Sequence, residues 1–194
     1  MINIVMLGPP CSGKGTHSRL ISDYFHLTHI STGELFRSEI EKESPIGVMA
    51  KQLIDRGNFI PDSITMKILY QHINKMPSPA GYLFDGFPRT LAQAEVFTKY
   101  LEKHNRSIDI AFYLYAPEEV LMARMYKRAI IDNRADDNDE VFNTRILNYY
   151  KHTHVLTEFF LAQGKLASIN TNNAIEEVSK QIFGLIDELR QGKK

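Results

Sequence analysis

The chain has 194 residues, is 43% hydrophobic, and balances 23 Lys+Arg against 23 Asp+Glu. That length suits one α/β core with small insertions and is too short for two full-sized domains. The balanced charge supplies no broad basic field, which argues against a nucleic-acid polymer or an anionic membrane as partner and makes any phosphate binding local.

No stretch approaches the length of a membrane span, and the short N-terminal apolar run lacks the basic flank of a signal peptide. A single cysteine cannot form an internal disulfide. The expectation is a cytoplasmic protein in a reducing compartment.

The first element is the apolar strand Ile4-Val5-Met6-Leu7, followed directly by Gly8-Pro9-Pro10-Cys11-Ser12-Gly13-Lys14-Gly15-Thr16. Gly8 and Gly13 let the backbone curl until N–H groups point inward. Lys14 adds a cation, and the helix beginning near Gly13 adds its positive dipole end. Such a nest suits a nucleotide's polyphosphate. The general pattern places Ser or Thr straight after the lysine to reach Mg²⁺; here Gly15 intervenes, so Thr16 must carry that hydroxyl.

Leu20, Ile21, Tyr24 and Phe25 mark the apolar stripe of the first helix, and 27–30 is a short strand candidate. Ser31 and Glu34 have capping-box spacing, so a helix starts there. Pro45 after Ser44 opens another, which Gly57 stops. An extended stretch follows, then a helix over 62–75. Residues 31–60 are thus a mainly helical excursion, longer than a simple crossover needs.

Residues 81–85 form an apolar strand ending in Asp85, and Gly86-Phe87-Pro88-Arg89-Thr90 follows; functional residues gather at such strand ends in open parallel sheets. Asp85 could also be a helix cap, and Gln93, three after Thr90, could complete a capping box. A helix over 91–103 leads to a strand over 108–115, and Pro117 starts the next helix. Arg124 and Arg128 share one face of it, where solvated surface charge is the plain alternative.

Residues 129–139 read as a polar loop, and 140–162 as one helix carrying Arg145. A strand over 166–169 and a helix over 174–189 end the chain. The alternation of strand and helix predicts a mostly parallel, doubly wound sheet.

Phosphoryl transfer demands positioning and cations around charge-bearing oxygens, and the chain offers Arg37, Arg89, Arg124, Arg128, Arg134 and Arg145 near strand ends or the loop-bearing segment. An acceptor phosphomonoester, with a second pKa of about 6, is already mostly anionic at neutral pH. No general base is needed, and the seven histidines are scattered.

Four motifs fall in order: GPPCSGKGT at 8–16, STGELFR at 31–37, FDGFPRT at 84–90, and arginines at 128, 134 and 145 flanking ADDN at 135–138. Together they resemble the adenylate kinases of the short-lid type over essentially the full length. The resemblance implies an α/β P-loop NTPase fold: a five-stranded parallel sheet flanked by helices, with a small helical NMP-binding insertion at 31–60 and a short lid at 127–137. The core would be 1–30, 61–126 and 138–194.

It implies reversible transfer of a phosphoryl group from Mg-ATP to AMP, giving two ADP, by a monomer. The backbone of Cys11, Ser12, Gly13, Lys14, Gly15 and Thr16 would hold the ATP phosphates, with Thr16 and Asp85 on Mg²⁺, Asp85 through water. Arg124 would lie against the ATP base, with a backbone contact from Asn173. Arg37 and Arg89 would grip the AMP phosphate beside Gly86, Phe87 and Pro88. Thr32, the backbone of Asn58, Phe59 and Ile60, and Gln93 would form the AMP base pocket. Lys14, Arg89, Arg128, Arg134 and Arg145 would surround the transferring group, with no zinc.

Two departures stand out. Cys11 occupies a position where the family usually has glycine, which implies strain if φ is positive there. The run Ala129-Ile130-Ile131-Asp132-Asn133 is more apolar than the family's usual lid.

A UMP/CMP kinase is the nearest rival, and Thr32 and Gln93 argue for adenine over it. A GTP-hydrolysing switch would need an Asn-Lys-x-Asp segment, of which Asn74-Lys75-Met76-Pro77 has only the first half. A nucleotide sensor on a kinase scaffold would not need the intact set of Lys14, Asp85 and arginines.

Overall fold

In the computed structural model, which describes residues 1–76, 78, 80–132 and 138–192, the chain alternates strand and helix. It runs through β1 (Ile4–Leu7), α1 (Lys14–Phe25), β2 (Thr28–Ser31), α2 (Thr32–Glu41), α3 (Pro45–Ile54), α4 (Asp62–Lys75), β3 (Tyr82–Asp85) and α5 (Leu91–Lys103). It continues through β4 (Ile110–Tyr115), α6 (Glu118–Asp132), α7 (Asp139–Asn148), a π-helical turn (Tyr149–Thr153), α8 (Val155–Leu161), β5 (Leu166–Asn170) and α9 (Ile175–Gln191). The described strands form one parallel sheet in the order β2-β3-β1-β4-β5.

Strand β1 is central because both of its faces are covered. Val5 and Leu7 pack into a cluster with Leu69, Phe84, Phe97 and Leu156, under α4, α5 and α8. Ile4 and Met6 face Ile21, Phe112 and Ile182, under α1 and α9. The two-residue period of a strand turns one apolar run into two cores. Sheet order reverses at β1, which pairs with β3 on one side and β4 on the other. Ligands in open parallel sheets bind in the crevice at such a switch point, beyond the carboxyl ends of the strands.

Local chemistry sets the helix starts. Ser31 caps α2 by accepting from the Glu34 N–H at 3.4 Å, and Ser44 caps α3 by accepting from the Gly47 N–H at 3.0 Å, with Pro45 following it. Helices α2 and α3 enclose a small core of Phe36, Ala50, Ile60 and Ile68.

Two expectations are corrected. Residues 129–132 are not loop: α6 continues to Asp132. Burial does not drive the extension, since Ile130 is 84% exposed; an Ala-Ile-Ile run with no Gly or Pro simply continues the helix. Likewise 140–162 is not one α-helix, because the π-turn interrupts it. Arg145, Tyr149 and Thr153 all line one cavity. Over eight residues a 3.6-residue helix would drift by about 80°, and the wider turn offsets that drift.

Candidate active site

The loop after β1 folds as its glycines require. Gly8 has φ 142°, and a Cβ there would lie 2.3 Å from the Leu114 carbonyl oxygen, so the loop can start only with glycine. Gly13 is the N-cap of α1 and supplies no side-chain cap, leaving the first N–H groups of the helix for an anion. Lys14 folds back into this nest, its Nζ donating to the carbonyls of Gly8 at 2.8 Å and Pro9 at 2.7 Å. Cys11 has φ 63°, the left-handed conformation that favours glycine, and it packs beside the cluster of Leu121, Met125, Phe142 and Ile146.

Pairing of Met6 with Asp85 sets the carboxylate of β3 beside the loop. A Cβ on Gly15 would stand 3.7 Å from Asp85 Oδ2, so Asp85 approaches the first turn of α1, where Thr16 is exposed. Burial raises the Asp85 pKa, but His29, Lys14 and Arg89 outweigh it and hold the carboxyl below its ordinary value. His29 was not singled out in the sequence. Its Nε2 is buried without a hydrogen-bond partner, 3.8 Å from Asp85 Oδ2.

Lys14, Arg37, Arg89 and Arg145 line one cavity at the switch point. Burial lowers Lys14 to about 8, with Arg89 and Arg145 adding to the effect and Asp85 opposing it. Burial also lowers Arg89 to about 10, helped by Arg145 and Arg37. Like charges are therefore gathered at a cost, which a polyanion would offset. Arg89 Nε donates to the Gly86 carbonyl at 2.8 Å, and its guanidinium lies 5.5 Å over the Phe59 ring.

The same cavity is lined by Thr32, Asn58, Phe59, Ile60, Gly86, Pro88 and Gln93. Thr32 Oγ1 donates to the Gly86 carbonyl at 2.8 Å, so toward a ligand its hydroxyl presents lone pairs. Gln93 is 3% exposed. Its N–H donates to the Thr90 hydroxyl at 3.1 Å, the first half of a capping box, and its Oε1 accepts from the Arg89 N–H at 2.7 Å. The reciprocal bond thus reaches one residue further back than the N-cap.

Other expected residues lie elsewhere. Phe87 is fully buried in the core, edge-on to Phe97 at 5.0 Å. Arg124 is half-buried rather than solvated, bonded through its guanidinium to the hydroxyl and carbonyl of Thr171; Asn173 is exposed two residues further on. Arg128 is half-buried one turn along α6, outside the cavity lining. Arg134, with Ala135, Asp136 and Asp137 of the ADDN motif, lies outside the described residues. No sequence signal pointed to Thr171, and Tyr149 and Thr153 stood out only as parts of a helical run.

A P-loop at the switch point of a parallel sheet, facing a cluster of partly buried cations, defines a P-loop protein that handles nucleotide phosphates. Comparison with known proteins narrows the class. A family model described as "Adenylate kinase" matches residues 6–165. Among curated relatives, an "Adenylate kinase" of Azobacteroides pseudotrichonymphae genomovar. CFP2 is 41% identical over 189 residues, covering 97% of this chain and 99% of its own length. One of Cyanothece sp. (strain PCC 7425 / ATCC 29141) is 36% identical over 193 residues, covering 100% and 99%. One of Phocaeicola vulgatus is 38% identical over 189 residues, covering 97% and 100%. The chain belongs to the adenylate kinase family.

Proposed function

We propose that the protein catalyses reversible transfer of the terminal phosphoryl group of Mg-ATP to AMP, giving two ADP, as a cytoplasmic monomer that balances adenine nucleotides. One observation carries the reading: Lys14, Arg37, Arg89 and Arg145 converge on a single cavity, where Asp85 opposes the repulsion on Lys14 and Arg89 and bound phosphate would oppose it further. Family membership favours this reaction over transfer to UMP or CMP.

In this reading the loop 8–16 and Lys14 hold the donor phosphates, and Arg37 and Arg89 orient the acceptor phosphate. Arg145, with Arg128 and Arg134, neutralises charge on the transferring group. The acceptor oxygen is already anionic, so no side chain must take a proton. Thr32, the 58–60 backbone and Gln93 receive the adenine. Arg124 and the segment at Thr171–Asn173 flank the donor base. Residues 31–60 and 127–137 act as flaps that exclude water while both substrates are bound.

The residues at the loop fit Mg²⁺, which takes one or two carboxylates plus substrate phosphates rather than a protein cage. Asp85, held ionised, approaches the first turn of α1 beside the Thr16 position. The ion would be held by the Thr16 hydroxyl and, through water, by Asp85. When bound it neutralises phosphate charge.

ADP formation from ATP with AMP, UMP and CMP in turn tests the reading. AMP is expected to be preferred, and CMP exceeding AMP overturns it. Arg89→Lys is expected to lose on the order of 10³ in rate, because lysine keeps the charge but not the fork that orients two oxygens. Activity within a few-fold of the parent removes Arg89 from its role.

A further inference from the structure

We infer that Asp62 is a positioning residue that fixes which way the Gln93 amide faces and thereby selects a 6-amino purine over a 6-oxo purine as acceptor base. The inference rests on the reading that Gln93 contacts that base.

Asp62 opens α4 where the 31–60 excursion returns to the sheet domain. Its Oδ1 accepts from Gln93 Nε2 at 2.7 Å, and its Oδ2 accepts from the Thr90 hydroxyl at 2.8 Å. At the other end of the amide, Gln93 Oε1 accepts from the Arg89 N–H at 2.7 Å. An ionised carboxylate can only accept and a backbone N–H can only donate, so the two anchors permit one orientation. Turning the amide over would set oxygen against carboxylate and NH₂ against N–H.

An amide has two N–H donors and two oxygen lone pairs, and these anchors use one of each. What remains is one N–H beside one lone pair, on a buried side chain that lines the acceptor cavity. Adenine presents the complement, a ring-nitrogen acceptor beside an exocyclic amino donor. Hypoxanthine and guanine present the reverse, a ring N–H beside a carbonyl. A freely turning glutamine would serve both classes; one held by Asp62 serves the first. Cytosine has the same polarity as adenine, so this device leaves its exclusion to the shape of the cavity.

The test is steady-state turnover of AMP and IMP with ATP as donor, in the parent and in Asp62→Ala, Asp62→Asn and Gln93→Ala. Asp62→Ala is expected to lower the AMP/IMP ratio of kcat/KM about tenfold or more, the effect of losing one hydrogen bond to a charged group, with KM for ATP unchanged. Asp62→Asn, which can still accept from Nε2, is expected to hold the ratio within about threefold of the parent. Should Asp62→Ala not fold, Asp62→Ser, too short to reach the amide, takes its place.

Equal loss on both acceptors, with the ratio unmoved, would mean that Asp62 merely supports the fold, and overturns the inference. If Gln93→Ala collapses the ratio and the Asp62 variants do not, Gln93 reads the base and only the role of Asp62 falls. If Gln93→Ala leaves the ratio unmoved, the base-reading role falls and the inference with it.

Discussion

Lys14 is a partly buried cation whose charge Asp85 and Cys11 favour, and its pKa is lowered from 10.5 to about 8, chiefly by burial. In the nucleotide-free protein the folded chain releases this proton near pH 8, while the unfolded chain holds it to about 10.5. The unfolded state therefore binds more protons between those values, and this group's contribution to stability rises with pH across that window. Bound phosphates favour the ammonium and push the titration up. The alkaline limb of kcat/KM for ATP is thus expected near pH 8, and that of kcat at distinctly higher pH; pH–rate profiles giving one coincident limb would contradict it. Cys11, at φ 63°, bears the opposite kind of strain. A non-glycine residue in the left-handed region costs roughly 1–2 kcal/mol, offset in part by the backbone freedom glycine gains when unfolded. Cys11→Gly is expected to match or exceed the parent in urea unfolding, and a loss beyond about 1 kcal/mol would show that the thiol's packing matters more.

The segment after α3 packs against α7 and the π-turn that follows it. Gly57, at φ 72°, comes so close that a Cβ would lie 2.8 Å from the Val141 carbonyl oxygen and 3.1 Å from both Arg145 Cγ and Thr144 Cβ. Asn148 Nδ2 donates to the Gly57 carbonyl at 3.0 Å, and Phe59 approaches His152 at 5.9 Å between ring centroids. The helix that carries Arg145 therefore also seats the backbone beside the acceptor cavity. Gly57→Ala is expected to cost about 1–3 kcal/mol, through the left-handed backbone and the lost approach, and to raise KM for AMP more than KM for ATP. Chemical unfolding with steady-state kinetics checks both parts; unchanged KM for AMP would mean that the seat does not shape the cavity.

The whole molecule transmits core packing to the site because the strands that fill the core end in the residues that line it. Phe84 is fully buried, edge-on to Phe97 at 4.9 Å, and precedes Asp85. Phe84→Ala is expected to cost about 3–5 kcal/mol, a large share of the roughly 5–15 kcal/mol that holds a domain together. Thermal unfolding measures it, and a loss below about 1 kcal/mol would show that the core refills the space.

Features that depend on neighbouring residues could be read from the chain alone. The glycine-bounded loop after an apolar strand, the caps at Ser31 and Ser44, and Asp85 at a strand end were legible because each is a local pattern. The helix over 129–132 and the π-turn were missed because their signals are weak: a short apolar run read together with the polar residues 132–139 in one case, an unbroken apolar period in the other. Which distant groups meet depends on how the folded elements are arranged in space. Asp62 reaches Gln93 across 31 positions, Arg124 reaches Thr171 across 47, and Asn148 reaches Gly57 across 91. Hydrogen bonds of that separation leave no period or spacing in the chain. They exist because a parallel sheet of order β2-β3-β1-β4-β5 brings the ends of separate strands and helices to one crevice.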